Sequence, residues 1–209
     1  MSDKILTVYH TTAKKREKSI LKNGFYKSKG QNQWLGEGVY FYKDIYYAVQ
    51  WGFLGVVKGQ IIDINEFKDK CSILSLELNC EECNVLDLNT PDGYEIFLWF
   101  KDHIKSIFSE EEAKEILSKG DAYLIYTLEQ LEKDHAIELI SKYDIVIAEY
   151  DKDVYKKNRD NKLISDFNGC KERQVCVKNL DIIKNINVLD LDDCEIENLF
   201  NLVKKNRGG

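Results

Sequence analysis

The stretch Trp34-Leu35-Gly36-Glu37-Gly38-Val39-Tyr40-Phe41-Tyr42, continued by Lys43-Asp44-Ile45-Tyr46-Tyr47-Ala48-Val49-Gln50-Trp51-Gly52, organises the chain. Gly36 and Gly38 bracket a bend whose backbone is free to take positive φ or to approach a ligand closely. Val39 to Tyr42 is β-branched and aromatic, as a short strand should be. Asp44 reads as the cap of a helix that Gly52 ends. In that helix Ile45, Ala48 and Val49 share one face by i, i+3, i+4 spacing, while Tyr47 and Trp51, one turn apart, share another. Tyr40 and Trp51 are thereby expected to face each other across a slot. Two rings flanking a slot suit a flat, electron-poor guest, because stacking buries both of its faces and the ring quadrupole favours positive charge. Nicotinamide is such a guest. The same spacing suits a packed cluster of Tyr40, Tyr42, Tyr46, Tyr47 and Trp51 with no guest, and spacing alone favours that simpler reading.

Working outward, 209 residues with 44% hydrophobic content and no long apolar run read as a soluble globular chain, most economically one domain with its own core. The start, Met1-Ser2-Asp3-Lys4 before Ile5-Leu6-Thr7-Val8-Tyr9, lacks the basic start, long apolar middle and cleavage site of a signal peptide, so a cytoplasmic location with no membrane partner is expected. The six cysteines (Cys71, Cys80, Cys83, Cys170, Cys176, Cys194) are then expected to be reduced. Cys80-x-x-Cys83 is the one metal-like pair, and with no second pair or nearby histidine no metal is expected. A net charge of −6, with basic residues scattered, lacks the footprint of a dedicated duplex-DNA binder. Local basic patches remain at Lys14-Lys15-Arg16 with Lys18, and at 152–162. A single proline and frequent Lys, Asn and Ile fit an AT-rich bacterial coding sequence.

In chain order, Lys4 to His10 alternates into a buried strand that delivers His10 at its end, with Thr11 and Thr12 as helix caps. Ala13 to Asn23 reads as a helix with Ile20 and Leu21 inward, stopped by Gly24 with Phe25 beyond. Lys27 to Gln33 is a polar loop suited to be a lid. From Phe53 to Lys70 no element is assigned. Cys71 to Leu78 alternates as a strand, and Val85 to Leu88 reads as a short edge element before a turn at Thr90-Pro91-Asp92-Gly93. From Tyr94 to Tyr143 the pattern is helical, with a capping box at Ser109-x-x-Glu112, a stop at Gly120 and a new start at Asp121. His103 and His135 fall among these helices as packing or surface groups. Asp144 to Tyr150 is a strand and 151–166 a charged loop. A further strand runs from Gly169 to Asn179, polar at its entry, Ile186 to Leu191 is a last strand, and Asp192 to Asn206 is an amphipathic helix with Ile196, Leu199, Phe200 and Val203 inward.

The order Val8-Tyr9-His10-Thr11-Thr12, Ile20-Leu21-Lys22-Asn23-Gly24-Phe25, Leu35-Gly36-Glu37-Gly38-Val39-Tyr40-Phe41 and a late strand opening with Glu172-Arg173-Gln174 resembles the ADP-ribosyltransferase superfamily. The likeness is to its diphtheria-toxin and poly(ADP-ribose) polymerase branch, whose motif is His, Tyr and a late Glu or substitute. It covers about the first fifty residues closely and the late strand loosely. The resemblance implies an α+β fold with a split antiparallel β-sheet core around an NAD cleft. The helical stretch at about 94–143 is an insertion in a single domain spanning 1–209.

It also implies roles. His10 would hydrogen-bond the 2′-hydroxyl of the nicotinamide ribose, and the backbone of Thr11, where the family usually has glycine, would hold the carboxamide. Tyr40 would stack on one face of nicotinamide and Trp51 on the other. Thr12, Gly38, Tyr47 and Ala48 complete the NAD-contacting set, Ala48 standing where the family often places a serine. The third catalytic group is Gln174 or Glu172, two residues apart on one strand face. Glutamine there implies transfer of single ADP-ribose units rather than chain growth. Plainer roles stay open: His10 as a helix cap, Gln174 pairing with a loop, Glu172 as a solvated strand end.

The function implied is mono-ADP-ribosyl transfer from NAD, a co-substrate, to a protein or nucleic-acid acceptor. The resemblance suggests a toxin or phage-defence effector, with an antitoxin or regulatory partner. An NAD glycohydrolase and a non-catalytic NAD- or ADP-ribose-binding interaction module are the alternatives.

Overall fold

The computed structural model describes residues 5–30, 33–58, 60, 62–135, 138–150 and 172–205. Along the chain run β1 (Ile5–Ala13), α1 (Lys14–Asn23), β2 (Val39–Tyr42), α2 (Ile45–Trp51) continued by a π-helical turn (Gly52–Val56), α3 (Ile64–Lys70), β3 (Cys71–Asn79) and β4 (Val85–Asp87). There follow α4 (Pro91–Ile107), α5 (Glu110–Ser118), α6 (Asp121–His135), β5 (Ile145–Tyr150), β6 (Glu172–Val177), a 3₁₀ turn (Leu180–Ile182), β7 (Asn187–Val188) and α7 (Cys194–Lys205). The chain is α+β. It divides into two units, Met1–Phe25 with Phe41–Glu81 and Asp181–Gly209, and Tyr26–Tyr40 with Glu82–Leu180. Strand β2 is shared, two residues to each.

In the first unit β1 lies between β2 and β3. Its antiparallel pairing with β3 is complete from Ile5↔Asn79 to Ala13↔Cys71, and Tyr9 pairs with Tyr42 of β2. The alternation that buries Leu6 and Val8 predicts this strand, but the strand does not stop at His10. Continuous pairing to β3 carries Thr11 and Thr12 into the ladder. They are buried strand residues rather than helix caps, and α1 starts from Ala13 with no side-chain cap.

Helix α1 ends at Gly24 as expected, with the Gly24 N–H on the Ile20 carbonyl and Phe25 buried beyond it. Leu21, however, is 47% exposed: this charged helix buries no residue fully. Asp44 caps α2 by accepting from the Tyr46 N–H at 2.7 Å. Gly52 caps the end of the α-helix, as read, but does not take the chain out of helical geometry. It is right-handed helical and leads into the π turn, because its close packing on the Phe67 ring and on Thr11 fixes its backbone more strongly than glycine's intrinsic tendency to break helices. The last strand is shorter than its apolar run, only Asn187 and Val188 pairing with β3. Helix α7 turns Ile196, Phe200 and Val203 into a core with Ala48, Val49, Phe53, Phe67 and Ile73. At its centre the Phe53, Phe67 and Phe200 rings meet at centroid distances of 4.8 to 5.3 Å.

In the second unit β4 runs parallel to β5, and β5 antiparallel to β6. Helices α4, α5 and α6 bury Phe97, Phe100, Ile104, Ala113, Leu124 and Leu128 with Leu35, Leu86, Val146, Ala148 and Cys176. The residues Thr90 to Gly93 form a helix start rather than a turn. The Thr90 hydroxyl accepts from the Gly93 N–H at 3.1 Å, and Pro91 sits at the first helical position, where its missing N–H would have had no partner. The capping box at Ser109 and Glu112 is formed as read. Among the described residues no helix is long and apolar enough to cross a membrane. Residues 151–171, with Cys170 and the charged loop, lie outside the described residues, as do Ala136 and the C-terminal 206–209.

Replacing Phe200 with alanine removes a fully buried ring from the centre of the first core, and a cost of about 3–5 kcal/mol is expected. Urea unfolding followed by circular dichroism measures it, and a loss below about 1 kcal/mol would contradict this packing.

Candidate functional site

The second unit contains the glycine loop. Gly36 has φ +82°, a conformation that glycine takes without strain, and a side chain there would collide with Glu129 and Lys178. Gly38 approaches β6 so closely that a Cβ would overlap the Cys176 sulfur. The expected close approach is therefore to the protein's own strand. Tyr40 points back over this bend. Its hydroxyl donates to the Gly36 carbonyl at 2.8 Å and accepts from the Leu35 N–H at 2.8 Å, so the half-buried ring is held at its far end.

Beneath the loop lies a buried ion pair that the sequence reading missed. Lys178 Nζ is 2.6 Å from Glu129 Oε1, with both residues less than 10% exposed. The Glu37 N–H donates to both oxygens of the Glu129 carboxylate at 2.8 and 3.0 Å, and Lys178 donates to the Glu37 carbonyl at 3.3 Å. On the outer side the Lys133 ammonium, 2.8 Å from the Glu37 carboxylate, holds that carboxyl below its usual range. A sequence signal did exist. Glu129 falls four residues after Ile125 and one after Leu128, on the buried stripe of α6 where an unpaired charge would be costly.

Strand β6 brings the third candidate group to the same unit. Alternation puts Glu172, Gln174 and Cys176 on one face, opposite Tyr150, Ala148 and Val146 of β5. The Gln174 amide donates to Glu172 Oε1 at 2.5 Å, and both side chains are half-buried. Cys176 is packed in the core against which Tyr40 lies, and its thiol and the Tyr40 hydroxyl both donate to the Gly36 carbonyl, at 3.9 and 2.8 Å. On that face Gln174 is one step of the alternation from Cys176 and Glu172 two. Arg173, on the opposite face, pairs with Asp87 and approaches Glu149.

The first unit holds the remaining residues. His10 stands in mid-strand opposite Leu74, half-buried, with its ring edge-on to Phe25 at 5.1 Å and to Phe41 at 5.7 Å. The Thr11 hydroxyl donates to the Ala48 carbonyl at 2.6 Å in a buried contact, tying β1 to α2. Thr12 is buried beside it. Tyr47 is buried, edge-on to Tyr46 at 5.3 Å, whereas Trp51 is 45% exposed and lies against Gly55 of the π turn. Among the described residues no three of His, Cys, Asp and Glu are grouped to hold a metal ion.

No family model matches the chain, and no solved structure matches it. It is 27% identical over 198 residues to an uncharacterized protein of Methanocaldococcus jannaschii, an alignment covering 90% of this chain and 88% of that protein.

Burial pushes the thiols of Cys71 and Cys176 up to about 12. Iodoacetamide at pH 8 is expected to modify the exposed Cys194 in the folded protein and to reach Cys71 and Cys176 only after denaturation. Unfolded thiols ionise near 9.0 while these two keep their protons. Stability is therefore expected to fall as pH rises from 9.0 towards about 12. Labelling of native Cys176 at pH 8 would contradict the closed packing under Gly38.

Proposed function

We propose that the chain is a mono-ADP-ribosyltransferase acting in the cytoplasm, with an ADP-ribosyltransferase-like sheet core and a helical insertion at about 94–143. Supporting this reading above all is the place of Tyr40 on β2, the strand beside β6, which carries Gln174 and Glu172. The residue that the resemblance assigns to nicotinamide stacking and the groups it assigns to ribose polarisation are far apart in sequence and lie on neighbouring strands in one unit.

In this reading NAD binds through its nicotinamide half. Tyr40 stacks on the nicotinamide ring; the resemblance gives Trp51 the part of a second aromatic surface and His10 that of holding the ribose 2′-hydroxyl. A lone pair of the acceptor bonds to the ribose C1′ while the C1′–N bond breaks. Its electron pair returns to the pyridinium nitrogen, and nicotinamide leaves neutral. The acceptor's proton passes to the Glu172 carboxylate or to water. Positive charge developing on the ribose is stabilised by the Glu172 carboxylate, which Gln174 orients through their 2.5 Å hydrogen bond. The acceptor is a protein or a nucleic acid, in keeping with a toxin or phage-defence effector restrained by an antitoxin or regulatory partner.

Nicotinamide release from NAD, with and without a cell extract, tests the reading. Release that depends on extract and falls about 10²-fold in Tyr40→Ala and in His10→Ala is expected. Equal release without extract would identify an NAD glycohydrolase instead. No release in either condition would favour a non-catalytic module that binds NAD or ADP-ribose.

A further inference from the structure

The loop from Leu35 to Gly38 has almost no unpaired backbone. The Leu35 N–H is held by the Tyr40 hydroxyl, the Gly36 N–H by the Gln33 carbonyl at 3.1 Å and the Gly36 carbonyl by the Tyr40 hydroxyl. Gly38 exchanges two hydrogen bonds with Ser28, at 2.8 and 3.2 Å. Between these anchors the Glu37 N–H and carbonyl bind the two halves of one buried ion pair, Glu129 and Lys178. Desolvating two charges is costly, and an apolar pair of the same volume is often at least as stabilising. What an apolar pair cannot do is accept the Glu37 N–H and donate to the Glu37 carbonyl together. Lys178 also directly follows the last residue of β6, four positions after Gln174, so the pair ties the loop to the strand that carries Gln174 and Glu172.

We infer that Glu129 and Lys178 are positioning residues: their buried ion pair sets the Gly36 bend and, through the Leu35 and Gly36 peptide groups, the pose of the Tyr40 ring relative to Gln174. The inference that this pose serves NAD rests on the proposed transferase reading; the control of the loop does not.

Two double variants remove the buried charges without stranding either one. Glu129→Leu/Lys178→Met also removes the acceptor for the Glu37 N–H, whereas Glu129→Gln/Lys178→Met keeps an amide oxygen in its place. Amide hydrogen exchange by NMR at Leu35 and Glu37 is expected to quicken about tenfold or more in the Leu/Met variant while Val146 in β5 stays within about twofold. In the Gln/Met variant it is expected to stay within about threefold of the parent. The KM for NAD should rise about tenfold in the Leu/Met variant and recover in the Gln/Met variant, because a displaced ring weakens binding whereas partial unfolding lowers only the maximal rate. Unchanged exchange at Leu35 and Glu37 in the Leu/Met variant would overturn the inference. So would faster exchange with unchanged KM in an active parent. A parent that does not turn over NAD would overturn the transferase reading and with it the link to NAD, while the exchange rates would still decide whether the pair controls the loop.

Discussion

Two opposite charges taken out of water have to be matched by geometry, and in this protein the geometry they are matched to is a glycine bend. Glu129 and Lys178 close around the Glu37 peptide, and Gly36 is glycine because the backbone turns left-handed above the carboxylate with no space for a side chain. From that constraint the rest of the second unit's site follows. The bend brings the Tyr40 hydroxyl onto two loop peptide groups, the ring lies on the core beside Cys176, and Gly38 has to be small for β6 to pass. Rigidity of this kind is what a site that must orient a flat ring before reaction requires.

The first unit solves a different packing problem. His10 is braced by the edges of Phe25 and Phe41 rather than by a helix cap, which keeps an imidazole in mid-strand with a defined orientation. Thr11 and Ala48 are two of the positions at which the sequence departs from the pattern it resembles, where glycine and serine are usual. They meet in one contact: the Thr11 hydroxyl donates to the Ala48 backbone carbonyl at 2.6 Å. The bond fastens α2, with Trp51 at its last turn, to the strand that carries His10.

The parts of this architecture written in local pattern were legible in the sequence. Alternation marks β1 and β3, a continuous apolar run marks β5, aromatic and β-branched composition marks β2, the Ser109–Glu112 capping box marks α5, and helical spacing of Ile196, Phe200 and Val203 marks α7. What was not legible depends on partners distant in sequence. Strand β1 continues through Thr12 because β3 pairs with it, Gly52 stays helical because Phe67 and Thr11 pack on it, and Thr90 to Gly93 uses turn-forming residues to start a helix. Of the candidate site, Tyr40, Gln174 and Glu172 were named from the resemblance. Glu129 and Lys178 were not, since a charge at an apolar position is a sign whose meaning depends on which opposite charge the fold delivers to it.

The central claim is that ADP-ribose leaves NAD attached to something else. NAD labelled in its adenylate half, incubated with the protein and cell extract, is expected to put label covalently on macromolecules, and phosphodiesterase should return that label as AMP alone, the signature of single units. Label recovered only as free ADP-ribose, or only as unchanged NAD, would contradict it.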